Sequence, residues 1–153
     1  MKDLEEDFPE EVRQIDAIPH DDIFKLYKQA TAVVCSSRDD PLPTFMSETM
    51  MVSGVCICSE NTGTAAVIQN GINGYVYKND SPAELAQCIR QLIECKNTEL
   101  LKVESRKTFE KIFSMEIFEK NLLNCVLECI GEEGEKKNEW WAEAFFWTGI
   151  NLS

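Results

Sequence analysis

The stretch S-R-D-D-P-L-P-T-F-M-S-E-T-M-M-V-S-G, Ser37 to Gly54, with the apolar run Val55-Cys56-Ile57-Cys58 behind it, decides how this chain is read. Ahead of it, Ala32-Val33-Val34-Cys35-Ser36 is a continuous run of small apolar residues, as in a parallel strand buried on both faces. Pro41 and Pro43 mark a loop, and an apolar helix follows from Thr44 up to Gly54. Strand, loop, helix and strand in that order predict a parallel pairing. Asp40 lies in the loop and Glu48 eight positions later on the helix. A helix N-terminus offers backbone N–H groups and a positive dipole end to phosphate. Carboxylates accept hydrogen bonds from sugar hydroxyls. The pattern suits a polar, phosphorylated ligand.

Working outward, Ile23, Leu26, Tyr27 and Ala30 recur at helical spacing after His20-Asp21-Asp22, whose acids suit a helix start. Val12 to Ile15 reads as a short strand. Downstream, Asn61-Thr62-Gly63-Thr64 is a turn before a short helix to Gln69, and Tyr75-Val76-Tyr77 is a third core strand after the turn signals Asn70-Gly71 and Asn73-Gly74. Ser81-Pro82-Ala83-Glu84 carries an N-cap, a first-turn proline and an acid three residues after the cap. A helix is expected from about Thr98 to Ile112. Ser114 caps a last one, with Ile117, Phe118, Leu122, Cys125, Val126, Cys129 and Ile130 facing inward. The expected fold is α/β, a Rossmann-like parallel sheet with helices on both faces. Such sheets bind ligands beyond the C-terminal strand ends.

Residues 1–11 form an acidic lead-in, 12–130 the domain, 131–139 a linker, and 140–153 a tail that holds all three Trp. At 153 residues and 44% apolar composition, one domain with a real core is expected. The net charge of −12 argues against nucleic acid and against an anionic membrane surface. Seven Cys without scaffold spacing, no signal peptide at the N-terminus and no run long enough to span a bilayer point to a cytoplasmic protein with reduced thiols. Cys56 and Cys58 share one strand face and read as small buried hydrophobes, since paired CxxC zinc spacing is missing. His20, the only histidine, reads as a helix start; no metal is assigned. Met46, Met50 and Met51 read as core.

At Asp40-x7-Glu48, and again through Ser59 to Tyr77, the chain resembles the C-terminal, donor-binding lobe of glycosyltransferase family 4, the glycosyl transferases group 1, retaining enzymes of the two-lobed GT-B fold. The resemblance runs over roughly residues 12–130. It implies a nucleotide-sugar donor, a UDP-sugar favoured, no metal requirement, and transfer to a hydroxyl on a glycan, lipid or small molecule. It implies a catalytic role for Asp40 near the transferred sugar, where the family has a Glu one methylene longer. It sets Glu48 on the ribose hydroxyls and the backbone N–H groups of Thr44, Phe45 and Met46 on the diphosphate. Gly63 and Thr64 correspond to a glycine turn near the donor, and Ala66 stands where the family usually has a Glu. Arg38, the only Lys or Arg between Gln29 and Tyr77, joins this set. The family's basic pair for the diphosphate lies upstream of the resembling region.

The chain is therefore expected to be part of a longer enzyme, inactive without an N-terminal acceptor lobe or partner chain, and to self-associate through an exposed sheet edge. Each candidate has a plainer reading: Asp39-Asp40-Pro41 as ordinary turn chemistry, Glu48 as an exposed helix position, Thr44 as a cap. The rival to an enzyme is a non-catalytic, glycosyltransferase-derived interaction module. A phospho-receiver lacks its Lys after Val55 to Cys58, and a thiol redox or zinc protein ranks below it.

Overall fold

The computed structural model describes residues 9–13 and 15–129. The expected linker and Trp-bearing tail, and most of the acidic lead-in, lie outside the described residues. The first compact unit runs to Phe109 and the second starts at Glu110.

The first unit holds α1 (His20–Gln29), β1 (Val33–Cys35), α2 (Thr44–Met51), β2 (Cys56–Ser59), a 3-10 turn (Gly63–Val67), β3 (Gly74–Tyr77), α3 (Pro82–Glu94) and α4 (Thr98–Thr108). The strands form one parallel sheet in the order β1-β2-β3. Val34 pairs with Ile57 and Ile57 with Tyr75, so these three side chains share a face. On that face Val55, Ile57, Tyr75 and Tyr77 pack with Cys88 and Leu92 of α3 and Leu101 of α4. On the other, Cys56 donates its thiol proton to the Met46 carbonyl of α2 at 3.5 Å, beside the fully buried Met46 and Met50. Helices therefore cover both faces, as expected. Burying each of these methionines is worth about 1.5–3 kcal/mol.

Local signals explain the element ends. Ser81 Oγ accepts from the Glu84 N–H at 3.4 Å to start α3. Glu84 does not close a reciprocal box; its carboxylate reaches further back, to the Lys78 N–H at 2.7 Å. α2 stops where Ser53 adopts a left-handed φ of 63°, which lets Gly54 N–H reach the Thr49 carbonyl at 2.8 Å. Ser105 of α4 ties that corner down from across the chain, donating to the Gly54 carbonyl at 2.7 Å.

Two expectations need correction. Val12, Arg13 and Ile15 are in no strand, and Val12 and Ile15 are half exposed. Val12 N–H is spent on a turn to the Pro9 carbonyl at 2.8 Å, not on a sheet ladder. In the second unit, α5 (Met115–Cys129) forms after Ser114, whose Oγ accepts from the Ile117 N–H at 3.5 Å. Its apolar stripe, however, is not buried: Phe118, Leu122, Cys125 and Val126 are exposed. Periodicity marks an apolar face but says nothing of what covers it.

Candidate functional site

The loops that leave the C-terminal ends of the three strands are stitched together. Gly63 N–H donates to the Asp40 carbonyl at 2.9 Å, and Asp40 and Thr62 form a parallel bridge. Asn61 Nδ2 donates to the Arg38 carbonyl at 3.1 Å. Asn79 N–H donates to Glu60 Oε1 at 3.1 Å, and Arg38 Nε donates to Asp80 Oδ1 at 2.9 Å. A Cβ at Gly63 would overlap the Pro41 carbonyl, so only glycine lets the two loops approach this closely. The sheet thus joins Arg38, Asp40, Gly63 and Thr64 into one rim, as the position of their loops beyond the strand ends requires.

Within that rim the candidates differ. Asp40 Oδ1 accepts from the Leu42 N–H at 3.1 Å, the turn chemistry of the plainer reading. Arg38 is 80% exposed and already paired with Asp80. It borders a cavity of about 450 Å³ with Ser36, Tyr77, Asp80 and the first turn of α3. No other candidate residue lines that cavity. Thr64 is buried, and its Oγ1 has no hydrogen-bond partner among the described residues. An orphaned buried hydroxyl costs about 1–3 kcal/mol.

At the start of α2, Pro43 is the capping residue and makes no side-chain cap, so Thr44 is not the cap its sequence suggested. Met46 is buried, and its N–H donates to the Pro43 carbonyl at 3.0 Å. That donor is already engaged, so Met46 does not fit the diphosphate role expected of it. Thr44 and Phe45 remain in the first turn, where an α-helix leaves N–H groups without intrahelical partners.

Glu48 turns to α1, away from any role in the rim's own bonds. His20 Nε2 lies 3.3 Å from Glu48 Oε1 across 28 positions of sequence. Tyr27, buried on the same helix, lies near the Glu48 carboxylate. Burial raises the Tyr27 phenol pKa first, and the charge of Glu48 raises it further. Edge-on ring contacts chain His20 to Phe24 at 4.9 Å and Phe24 to Tyr27 at 6.0 Å. The Glu48 side chain keeps 26% of its surface exposed. Sequence reasoning missed His20 and Tyr27 as partners of Glu48. The available signal was their spacing: positions 20, 24 and 27 fall on one helical face.

Among the described residues no three His, Cys, Asp or Glu side chains gather as a metal site. Cys56 and Cys58 are buried, and that burial pushes both thiols up from their ordinary range, so neither offers a thiolate. No helix among the described residues is long and apolar enough to cross a membrane.

Comparison with known proteins gives this geometry its family. The family described as glycosyl transferases group 1 matches residues 2–111, and the chain belongs to it. Spore coat protein SA of Bacillus subtilis (strain 168) is 32% identical over 106 residues, 67% of this chain. The chain spans 28% of that curated relative's length. Among solved structures, Anabaena HepE in complex with UDP aligns with a TM-score of 0.62 at 17% identity, covering 68% of this chain and 29% of HepE. The C-terminal domain of the group 1 family protein LpcC from Francisella tularensis aligns at 0.60 and 18%, covering 66% and 53%. Sucrose-phosphate synthase from Thermosynechococcus elongatus aligns at 0.65 and 20%, covering 76% and 30%. The fold is the expected α/β lobe of the GT-B glycosyltransferases.

Proposed function

We propose that this chain is the donor-binding part of a retaining, nucleotide-sugar-dependent glycosyltransferase, with a UDP-sugar as donor and a hydroxyl on a glycan, lipid or small molecule as acceptor. The observation that carries the reading is the joint between the Asp40 loop and the Gly63 turn, made by a backbone hydrogen bond and a close approach only glycine allows. It brings together the loops that carry the candidate donor residues, and HepE, of like fold, is described in complex with UDP and with UDP-glucose.

In this reading Glu48 accepts from the ribose hydroxyls, and the Thr44 and Phe45 N–H groups meet the diphosphate. Asp40 stabilises positive charge as it develops at the anomeric carbon, through the carboxylate oxygen not engaged by Leu42. Thr64 sits beside Gly63 in that joint, its Oγ1 without a hydrogen-bond partner among the described residues. Arg38 contributes positive charge in a chain of net charge −12, with helix dipole ends carrying the rest of the phosphate binding. Acceptor contacts come from an N-terminal lobe or partner chain, and the protein works in the cytoplasm with its thiols reduced.

Calorimetric titration with UDP, GDP, ADP and their sugar conjugates tests the reading, on wild type and Glu48→Ala. Selective binding of uridine compounds, weakened in the variant by about 1.5–3 kcal/mol or roughly 10- to 150-fold, is expected for a lost hydrogen bond to a charged group. No binding at millimolar ligand overturns it. A second reading, a non-catalytic interaction module, draws support from the exposed stripe Phe118, Leu122 and Val126 of α5. It also accords with the name of the Bacillus relative, a coat protein. Failed nucleotide binding together with self-association would favour it.

A further inference from the structure

The geometry points to His20 and Tyr27 as positioning residues that hold the Glu48 carboxylate ready for a vicinal diol, so that the chain discriminates a ribose from a sugar lacking those hydroxyls. The inference rests on the donor-site reading above and adds two residues of α1 to it. A glutamate on an exposed helix face samples several rotamers and loses that freedom when a ligand arrives. Part of that freedom is already gone for Glu48: His20 Nε2 stands 3.3 Å from Oε1, and the Tyr27 phenol lies near enough to the same carboxylate to be raised by its charge after burial. The two holders sit two turns apart on one face of α1, with Phe24 wedged edge-on between them. Tyr27 is itself buried, so its ring is held in place on that face.

A carboxylate offers about four lone-pair sites. His20 stands at one oxygen, and the side chain keeps 26% of its surface exposed, room to accept from two adjacent hydroxyls. A preorganised acceptor gains affinity because the ordering cost is met before binding. His20 is largely exposed and contributes no core packing, and α1 already has two acids in its first turn to satisfy the helix dipole.

The test compares UDP with 2′,3′-dideoxy-UDP by calorimetry on wild type, Tyr27→Phe and His20→Gln. Tyr27→Phe keeps the buried ring and removes only the hydroxyl. Each variant is expected to bind UDP about 3- to 10-fold more weakly, the worth of one hydrogen bond, and the dideoxy nucleotide as wild type does. Equal losses for both nucleotides, or none for either, overturn the inference while leaving the donor site standing. Wild-type protein that binds neither nucleotide overturns the donor-site reading, and the inference falls with it. A ligand-free readout uses the fact that His20 is the sole histidine. Its ring resonances are expected to shift on Glu48→Gln, and unchanged resonances overturn the contact itself.

Discussion

The two acids of the Asp40-x7-Glu48 pair are held in opposite ways. Asp40 is held by its own loop: its carboxylate bonds an N–H two residues away, and its carbonyl bonds Gly63. Glu48 is held by another helix, through His20, 28 positions earlier in the chain, with Tyr27 of the same helix nearby. A local hydrogen bond survives whatever keeps the turn, so Asp40's orientation belongs to the loop. A long-range one depends on how α1 packs on α2, so Glu48's orientation belongs to the tertiary fold. Equal spacing in a motif therefore does not mean equal support, and the two sites should fail differently when perturbed.

The largest effect is expected at the joint that frames Asp40. In Gly63→Ala the added Cβ overlaps the Pro41 carbonyl, and backbone on one side must move. Overpacking against backbone should cost about 3 kcal/mol, lowering the melting temperature by roughly 10 °C in a chain of this size. Calorimetric melting checks it, and a loss under 1 kcal/mol would mean that the two loops are not locked together. A smaller effect is expected at Asp40 itself. Asp40→Asn keeps an Oδ1 acceptor for the Leu42 N–H and should be near neutral in stability, whereas Asp40→Ala should lose about 1 kcal/mol. If the two variants melt alike, the Asx turn is not what holds the loop.

Much of this contrast could not be read in advance. The α/β fold could be, because each piece carried a local mark. Small apolar runs gave β1 and β2, and Ser81-Pro82 gave the start of α3. The loop candidates were also legible, since strand ends lie where the runs stop and the glycine turn at Gly63 announces itself. What stayed hidden depends on three-dimensional neighbours. The Met46 N–H is consumed by a turn that the spacing of Pro41 and Pro43 does not specify. The apolar stripe of α5 has a clear period and no cover among the described residues. The shared helical face of His20 and Tyr27 was legible, but not that Glu48, 28 and 21 residues later, would lie against it. His20 read as a helix start, which it is, and that reading was complete enough to conceal its second contact.

The smallest effect sharpens the Glu48 side of the comparison, and it leaves neutral-pH stability almost untouched. The Tyr27 phenol is raised above its ordinary pKa by burial first and then by Glu48. The folded state therefore keeps the Tyr27 proton at pH values where the unfolded state has begun to lose it. The stability this contributes is fully present below the unfolded value, about 10, and is lost as pH rises through the folded pKa. Glu48→Gln removes the charge but not the burial, so Tyr27 should titrate earlier, while still later than a free phenol. Tyr75 and Tyr77 are also raised, but burial and neighbouring thiols cause that, with Asp80 a lesser contributor for Tyr77, and the substitution should leave both where they are. Alkaline titration followed by phenolate absorbance in wild type and Glu48→Gln should thus move one tyrosine of three. Coincident curves would mean that the carboxylate does not face Tyr27, and Glu48 would then be no better supported than Asp40.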